Sequence, residues 1–121
     1  MKGVIYLIPN TLGDSPIEYN LPQENIGLIN SIKYYIVEDI RTARRFLKKV
    51  NKEIDIDALT FYVLDKHTLQ QDVPTFLQPA LNGHDMGILS EAGCPGVADP
   101  GADVVAIAHQ KNLRVTPLIG P

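Results

Sequence analysis

Five short apolar runs, each followed or preceded by a helical pattern, are what most narrows the folds open to this chain. They lie at about Gly3 to Ile8, Tyr34 to Val37, Leu59 to Leu64, Met86 to Leu89 and Leu113 to Pro117, and we read them as strands. Strands that alternate with helices give a parallel sheet with crossover helices. The clearest helix lies between the second and third runs. There Ile40, Ala43, Phe46, Leu47 and Val50 form an apolar stripe while Arg41, Arg44, Arg45, Lys48 and Lys49 take the other faces, with Asp39 placed as N-cap. A second helix is expected over Gly101 to Lys111, capped by Asp99, with Pro100 at its first position and Val104, Val105, Ile107 and Ala108 on its buried face. Shorter helices are expected over Gln23 to Ile32 and Asp72 to Leu81, the latter weakened or bent by Pro79. A length of 121 residues and a hydrophobic content of 45% support one compact domain. The fold expected is α/β and three-layered, with about five mainly parallel strands and flanking helices.

The polar and glycine-rich clusters follow the carboxyl ends of the strands: Asn10 to Asp14, Glu38 to Arg41, Asp65 to His67, Ser90 to Gly96, and Gly120-Pro121. In a parallel sheet these loops share one edge, where open α/β folds bind ligands. The densest is Ile88 to Gly101, ILSEAGCPGVADPG. Its Gly93, Gly96 and Gly101 permit positive φ and close approach of a ligand to backbone, and Pro95 and Pro100 stiffen the turns. Free amides in such a loop hold a carboxylate or phosphate.

Several classes of chemistry lack their signatures. No P-loop and no Gly-x-Gly-x-x-Gly follows the first strand, so triphosphate hydrolysis and ordinary dinucleotide binding have no phosphate cradle. His67, His84 and His109 have no metal-ligand spacing, and no metal is expected. Cys94 is the single cysteine, which excludes an intramolecular disulfide and a cysteine-rich zinc site and points to a reducing cytoplasm. No motif gives it a base, and neither Ser15-Pro16 nor Ser90-Glu91 forms a nucleophile elbow. The formal net charge of −3 gives no global attraction to nucleic acid, although a local basic face remains open. No apolar run approaches membrane length, so no membrane partner is expected.

Taken together, four segments resemble the amino-terminal half of the tetrapyrrole methylase superfamily of S-adenosylmethionine-dependent methyltransferases. They are most similar to the branch that methylates a cytidine ribose 2′-hydroxyl in small-subunit ribosomal RNA. Tyr6 to Asp14 (YLIPNTLGD) resembles that branch's opening strand and Thr-Pro-Ile-Gly-Asn loop, with Asn10-Thr11 in place of Thr-Pro. Val37-Glu38-Asp39-Ile40-Arg41 matches its Glu-Asp-Thr-Arg motif except at Ile40. Ser90-Glu91-Ala92-Gly93-Cys94-Pro95 and Ala98-Asp99-Pro100-Gly101 are similar to its Ser-Asp-Ala-Gly-Thr-Pro and Asp-Pro-Gly elements, with Cys94 replacing Thr. Pro117-Leu118-Ile119-Gly120-Pro121 resembles the Pro-Leu-Pro-Gly-Pro segment that ends the first half, whereas Asp65-Lys66-His67-Thr68 follows its His-Asn segment only in part.

The resemblance implies that residues 1–121 form the amino-terminal domain of a two-domain methyltransferase, with the second domain beyond Pro121 absent, as in a shortened form or proteolytic fragment. It implies S-adenosylmethionine as cofactor, held by Pro9, Ser90, Ala92, Gly93, Cys94, Pro95 and Gly96. It places Asn10, Thr11, Gly13 and Arg41 on the substrate side. Glu38, Asp39 and His67 are candidates for a general base toward a ribose hydroxyl, with the helix cap as the competing role for Asp39. The partners implied are the missing domain, a second subunit of a homodimer, and ribosomal RNA or the small subunit. If the substrate is RNA, the net acidity of the chain leaves the basic helix with Arg41, Arg44, Arg45, Lys48 and Lys49 as part of the docking surface. The alternatives are methylation of a tetrapyrrole carbon and a non-catalytic α/β ligand-binding or docking module.

Overall fold

The computed structural model describes residues 1–9, 23–65, 67–90 and 100–118. Five strands, β1 (Val4–Pro9), β2 (Tyr34–Val37), β3 (Thr60–Val63), β4 (Met86–Ser90) and β5 (Arg114–Pro117), form one sheet in the order β3-β2-β4-β1-β5. Every pairing is parallel, so the expectation of a mainly parallel sheet is met without exception. The helices are α1 (Gln23–Ser31), α2 (Ile40–Val50), α3 (Gln78–Leu81) and α4 (Pro100–Gln110).

Alternation along the strands sorts the core onto the two faces of the sheet. Ile8, Tyr35, Val37 and Leu89 pack with Ile29 and Ile32 of the α1 segment and with Ala43, Phe46, Leu47 and Val50 of α2. On the opposite face Ile5, Ile36, Met86 and Ile88 pack with Val73, Leu77 and Ala80 and with Val104 and Ala108 of α4. Three layers result. Tyr35 is wholly buried, and its hydroxyl donates to the Ile29 carbonyl at 2.8 Å, satisfying one of the last carbonyls of α1. Burial pushes this phenol above its ordinary pKa.

Three expectations need correction. Asp72 to Leu81 is not one α-helix but a 3-10 stretch, Gln70–Leu77, followed by the four-residue α3. Pro74 and Pro79 each remove a donor and crowd the carbonyl four residues back, so an α ladder cannot run through, and the tighter i to i+3 pattern takes over. Ile40 leaves the expected stripe of α2: it is 38% exposed, because the first turn sits at the end of the sheet, past the core. On α4, Val104 and Ala108 are buried and Ile107 packs in part, while Val105 is half-buried. The strand ends move by a residue where another bond takes the N–H. That of Gly3 goes to Ala80 and that of Leu113 to Ala108, both outside the ladder.

The amino edge of the sheet is closed by two helix ends of the same design. After α3, Gly83 adopts φ +100°, its N–H bonds the Ala80 carbonyl and the His84 N–H bonds that of Pro79. After α4, Asn112 takes φ 60°, its N–H bonds His109 and the Leu113 N–H bonds Ala108. Both are Schellman closures, one using glycine and one asparagine in the left-handed region.

Candidate functional site

The parallel register brings the carboxyl ends of all five strands level. Pro9 of β1 pairs with Ser90 of β4, and Val37 pairs with both Leu89 and Val63. Glu38 therefore follows one residue beyond the β4 and β3 pairings, beside Ser90. Leu64 continues the row by donating to the Val37 carbonyl at 2.7 Å, and Leu118 does the same on the other side by donating to Leu7 at 2.9 Å. Neighbouring strands lie about 4.8 Å apart.

As between β2 and β3, where Val73 and Leu77 pack on the face opposite α2, the connections diverge at the end of β4. It is flanked by β1 and β2, and the helices that follow those strands, α1 and α2, pack on one face. The helix that follows β4, α4, packs on the other. Adjacent strands whose chains leave toward opposite faces mark the binding crevice of open α/β sheets. Ser90 opens the glycine-rich loop at that position.

Asp39 is extended, with φ −144° and ψ 121°, and its carboxylate accepts the Arg41 N–H at 2.8 Å while its carbonyl accepts from Ala43. The cap role weighed against catalysis is what the local geometry displays. Glu38 is half-buried and Arg41 is exposed. Beyond β3, Asp65 accepts the His67 N–H at 2.8 Å, and the Thr68 hydroxyl accepts from the Asp65 N–H at 2.9 Å. These bonds fold the loop into a compact turn with the His67 side chain exposed. The organising roles of Asp65 and Thr68 were missed by the motif reading, although Asp-x-x-Thr is a turn signal in its own right.

The structure thus gathers Pro9, Glu38, Asp39 and Ser90 on one edge, with His67 on the adjoining loop. Asn10, Thr11, Gly13, Ala92, Gly93, Cys94, Pro95 and Gly96 lie outside the described residues, as does the proposed cap Asp99. A shallow open hollow of about 180 Å³, lined by Ser31, Lys33, Tyr34, Gly83, His84 and Asp85, lies at the amino edge and involves none of these residues. Among the described residues no helix is long and apolar enough to cross a membrane.

No protein-family model matches the chain. It is, however, 29% identical over 118 residues to ribosomal RNA small subunit methyltransferase I of Vibrio cholerae, covering 98% of this chain and 38% of that protein. The protein of the same name from Escherichia coli O157:H7 is 28% identical over 120 residues, covering 99% of this chain and 39% of the relative. That of Synechocystis is 24% identical over 118 residues, covering 98% and 39%. The chain therefore spans about 39% of the length of these relatives. Similarity over nearly the whole chain bears out, as homology, the resemblance drawn from the Val37 to Arg41 and Ser90 to Gly101 segments.

Proposed function

We propose that this chain, a homologue of ribosomal RNA small subunit methyltransferase I over the amino-terminal part of those proteins, is the first α/β domain of an S-adenosylmethionine-dependent methyltransferase. Its substrate in this reading is a ribose 2′-hydroxyl of small-subunit ribosomal RNA. The observation that carries it is the alignment over 98% of the chain with a protein of that name. A second α/β domain completes the cleft, the whole enzyme is a homodimer, and it works in the cytoplasm, where its RNA is.

The fit to the cofactor rests on the topology at β4, whose carboxyl end opens between connections to opposite faces. Gly93, Cys94 and Pro95 hold the methionine end, with Ser90, Ala92 and Gly96 beside them and Pro9 across the strand pairing. When bound, S-adenosylmethionine supplies a methyl group on a good neutral leaving group. The protein's task is then alignment of the hydroxyl with that methyl, which carries much of the rate effect. Asn10, Thr11, Gly13 and Arg41 orient the RNA. Because Asp39 caps α2, Glu38 and His67 are the stronger candidates to take the hydroxyl proton.

The test is transfer of labelled methyl by the full-length protein to small ribosomal subunits and, in parallel, to a tetrapyrrole precursor. The expected result is label on a ribose of the subunit RNA. Label on the tetrapyrrole would replace the substrate, and failure to bind S-adenosylmethionine would leave a non-catalytic docking module.

A further inference from the structure

We infer that the first two turns of α2, through Arg41, Arg44 and Arg45, form a docking surface for the phosphate backbone of RNA beside the carboxyl edge; this inference rests on the RNA reading above. The charge distribution is the first observation. The chain carries 11 Lys and Arg against 14 Asp and Glu, yet Ile40–Val50 holds Arg41, Arg44, Arg45, Lys48 and Lys49 and no acid at all. An acidic protein has concentrated cations on one helix.

Helix stability does not account for that pattern. The first turn contains no acidic residue, and Arg41 stands at the positive end of the macrodipole, where a cation is disfavoured. Arg41 with Arg45, Arg44 with Lys48 and Arg45 with Lys49 are like-charged pairs at i and i+4, each destabilising to the isolated helix. A merely solvated helix face would mix signs at these spacings. The last turn is different. Lys48 and Lys49 suit the negative helix end, and the Lys48 ammonium donates to the carbonyls of Lys52 at 3.3 Å and Ile54 at 2.9 Å. Structural work thus explains the carboxyl half of the stripe and leaves the amino half for a partner.

Position supplies the second observation. Arg41, Arg44 and Arg45 are exposed, while Ala43, Phe46, Leu47 and Val50 fix the helix to the sheet. With a rise of about 1.5 Å per residue, Arg45 lies roughly 8 Å along the axis from the start of α2. That start adjoins Glu38 and the end of β4. A strand whose ribose reaches the carboxyl edge would carry its neighbouring phosphates over these guanidinium groups, which form forked bonds to phosphate oxygens.

The experiment measures RNA affinity of the full-length protein against salt, using a small-subunit RNA fragment and intact small subunits, for wild type and for Arg44→Gln/Arg45→Gln. Two lost phosphate contacts should flatten the log-log salt slope by roughly 1.4 to 1.8, so that wild type loses roughly tenfold more affinity than the variant between about 50 and 200 mM salt. Arg44→Lys/Arg45→Lys should keep the slope. Lys33→Gln/Arg114→Gln, the same charge loss at the amino edge, should also keep it, and a thermal melt checks that each variant folds. An unchanged slope in the glutamine variant, or an equal change in the amino-edge variant, would overturn the docking surface. So would weakened binding to intact subunits with unchanged binding to the RNA, which would assign the helix to a protein contact. Wild type that binds no RNA would instead sink the underlying function.

Discussion

At the amino edge of the sheet the chain closes its hydrogen-bonding groups on itself through helix ends and side chains, whereas the described part of the carboxyl edge presents the half-buried Glu38 and the exposed Asp39 and Arg41. Gly83 and Asn112 complete helix ends, the Val4 N–H bonds the Asp85 carboxylate at 2.8 Å, and the Lys2 ammonium reaches the Lys111 carbonyl at 2.7 Å. At the other edge Asp39 and Asp65 do structural work, but Arg41 and His67 stay exposed beside the row that joins Pro9, Glu38 and Ser90. Among the described residues a hollow of about 180 Å³ lies at the amino edge, while the connections around β4 diverge at the carboxyl edge.

The contrast breaks most readily at Gly3. A Cβ there would sit 2.1 Å from the His84 carbonyl oxygen, a backbone atom that cannot step aside. Gly3→Val should therefore cost about 3 kcal/mol or more, measured by urea unfolding, with cofactor affinity of the folded fraction unchanged. Loss of affinity in proportion would mean that the edges are not separable.

Tyr35 sharpens the comparison from the core. Tyr35→Phe removes the bond to the Ile29 carbonyl and should cost about 1.5 kcal/mol. Its phenol is raised in the folded state, so the neutral form is the one that folding favours. This stabilisation is complete below the unfolded pKa of about 10 and is lost as pH rises above it, at up to about 1.4 kcal/mol per pH unit. The variant should lack that alkaline slope, and equal slopes in both proteins would remove Tyr35 as its source.

Asp39 gives the smallest effect and the cleanest separation of roles. Asp39→Ala should lose about 1 kcal/mol as a cap, and Asp39→Asn should retain nearly all of it. If Asp39 acts only through α2, methyl transfer by the asparagine variant stays near wild type. A stable asparagine variant with transfer abolished would make it the base.

What the sequence disclosed follows from how local each signal is. The bounds of α2 and its Asp39 cap were legible because a buried stripe and a capping side chain are written in neighbouring residues. Strand positions were legible to within a residue or two for the same reason. Pro74 and Pro79 together, five residues apart, convert most of the third connection to 3-10 geometry, and Pro79 alone announced only a weakened helix. The level row of Pro9, Ser90 and Glu38 depends on register between distant strands, which no local pattern states. Composition and resemblance read the glycine-rich loop as a ligand loop, and its residues from Glu91 to Asp99 lie outside the described structure.

The most direct test of the account places one substitution at each edge of the full-length protein and measures thermal stability together with S-adenosylmethionine affinity by calorimetry. Gly83→Val, at φ +100° with the Met1 carbonyl oxygen 2.9 Å from its new Cβ, should lose about 2 kcal/mol of stability and keep its affinity once folded. Gly93→Val should do the reverse, weakening the cofactor by at least about tenfold, equivalent to 1.4 kcal/mol, with little change in Tm. Unchanged affinity in Gly93→Val, or a loss of stability there that accounts for the whole loss of binding, would contradict the assignment of the cofactor to the carboxyl edge.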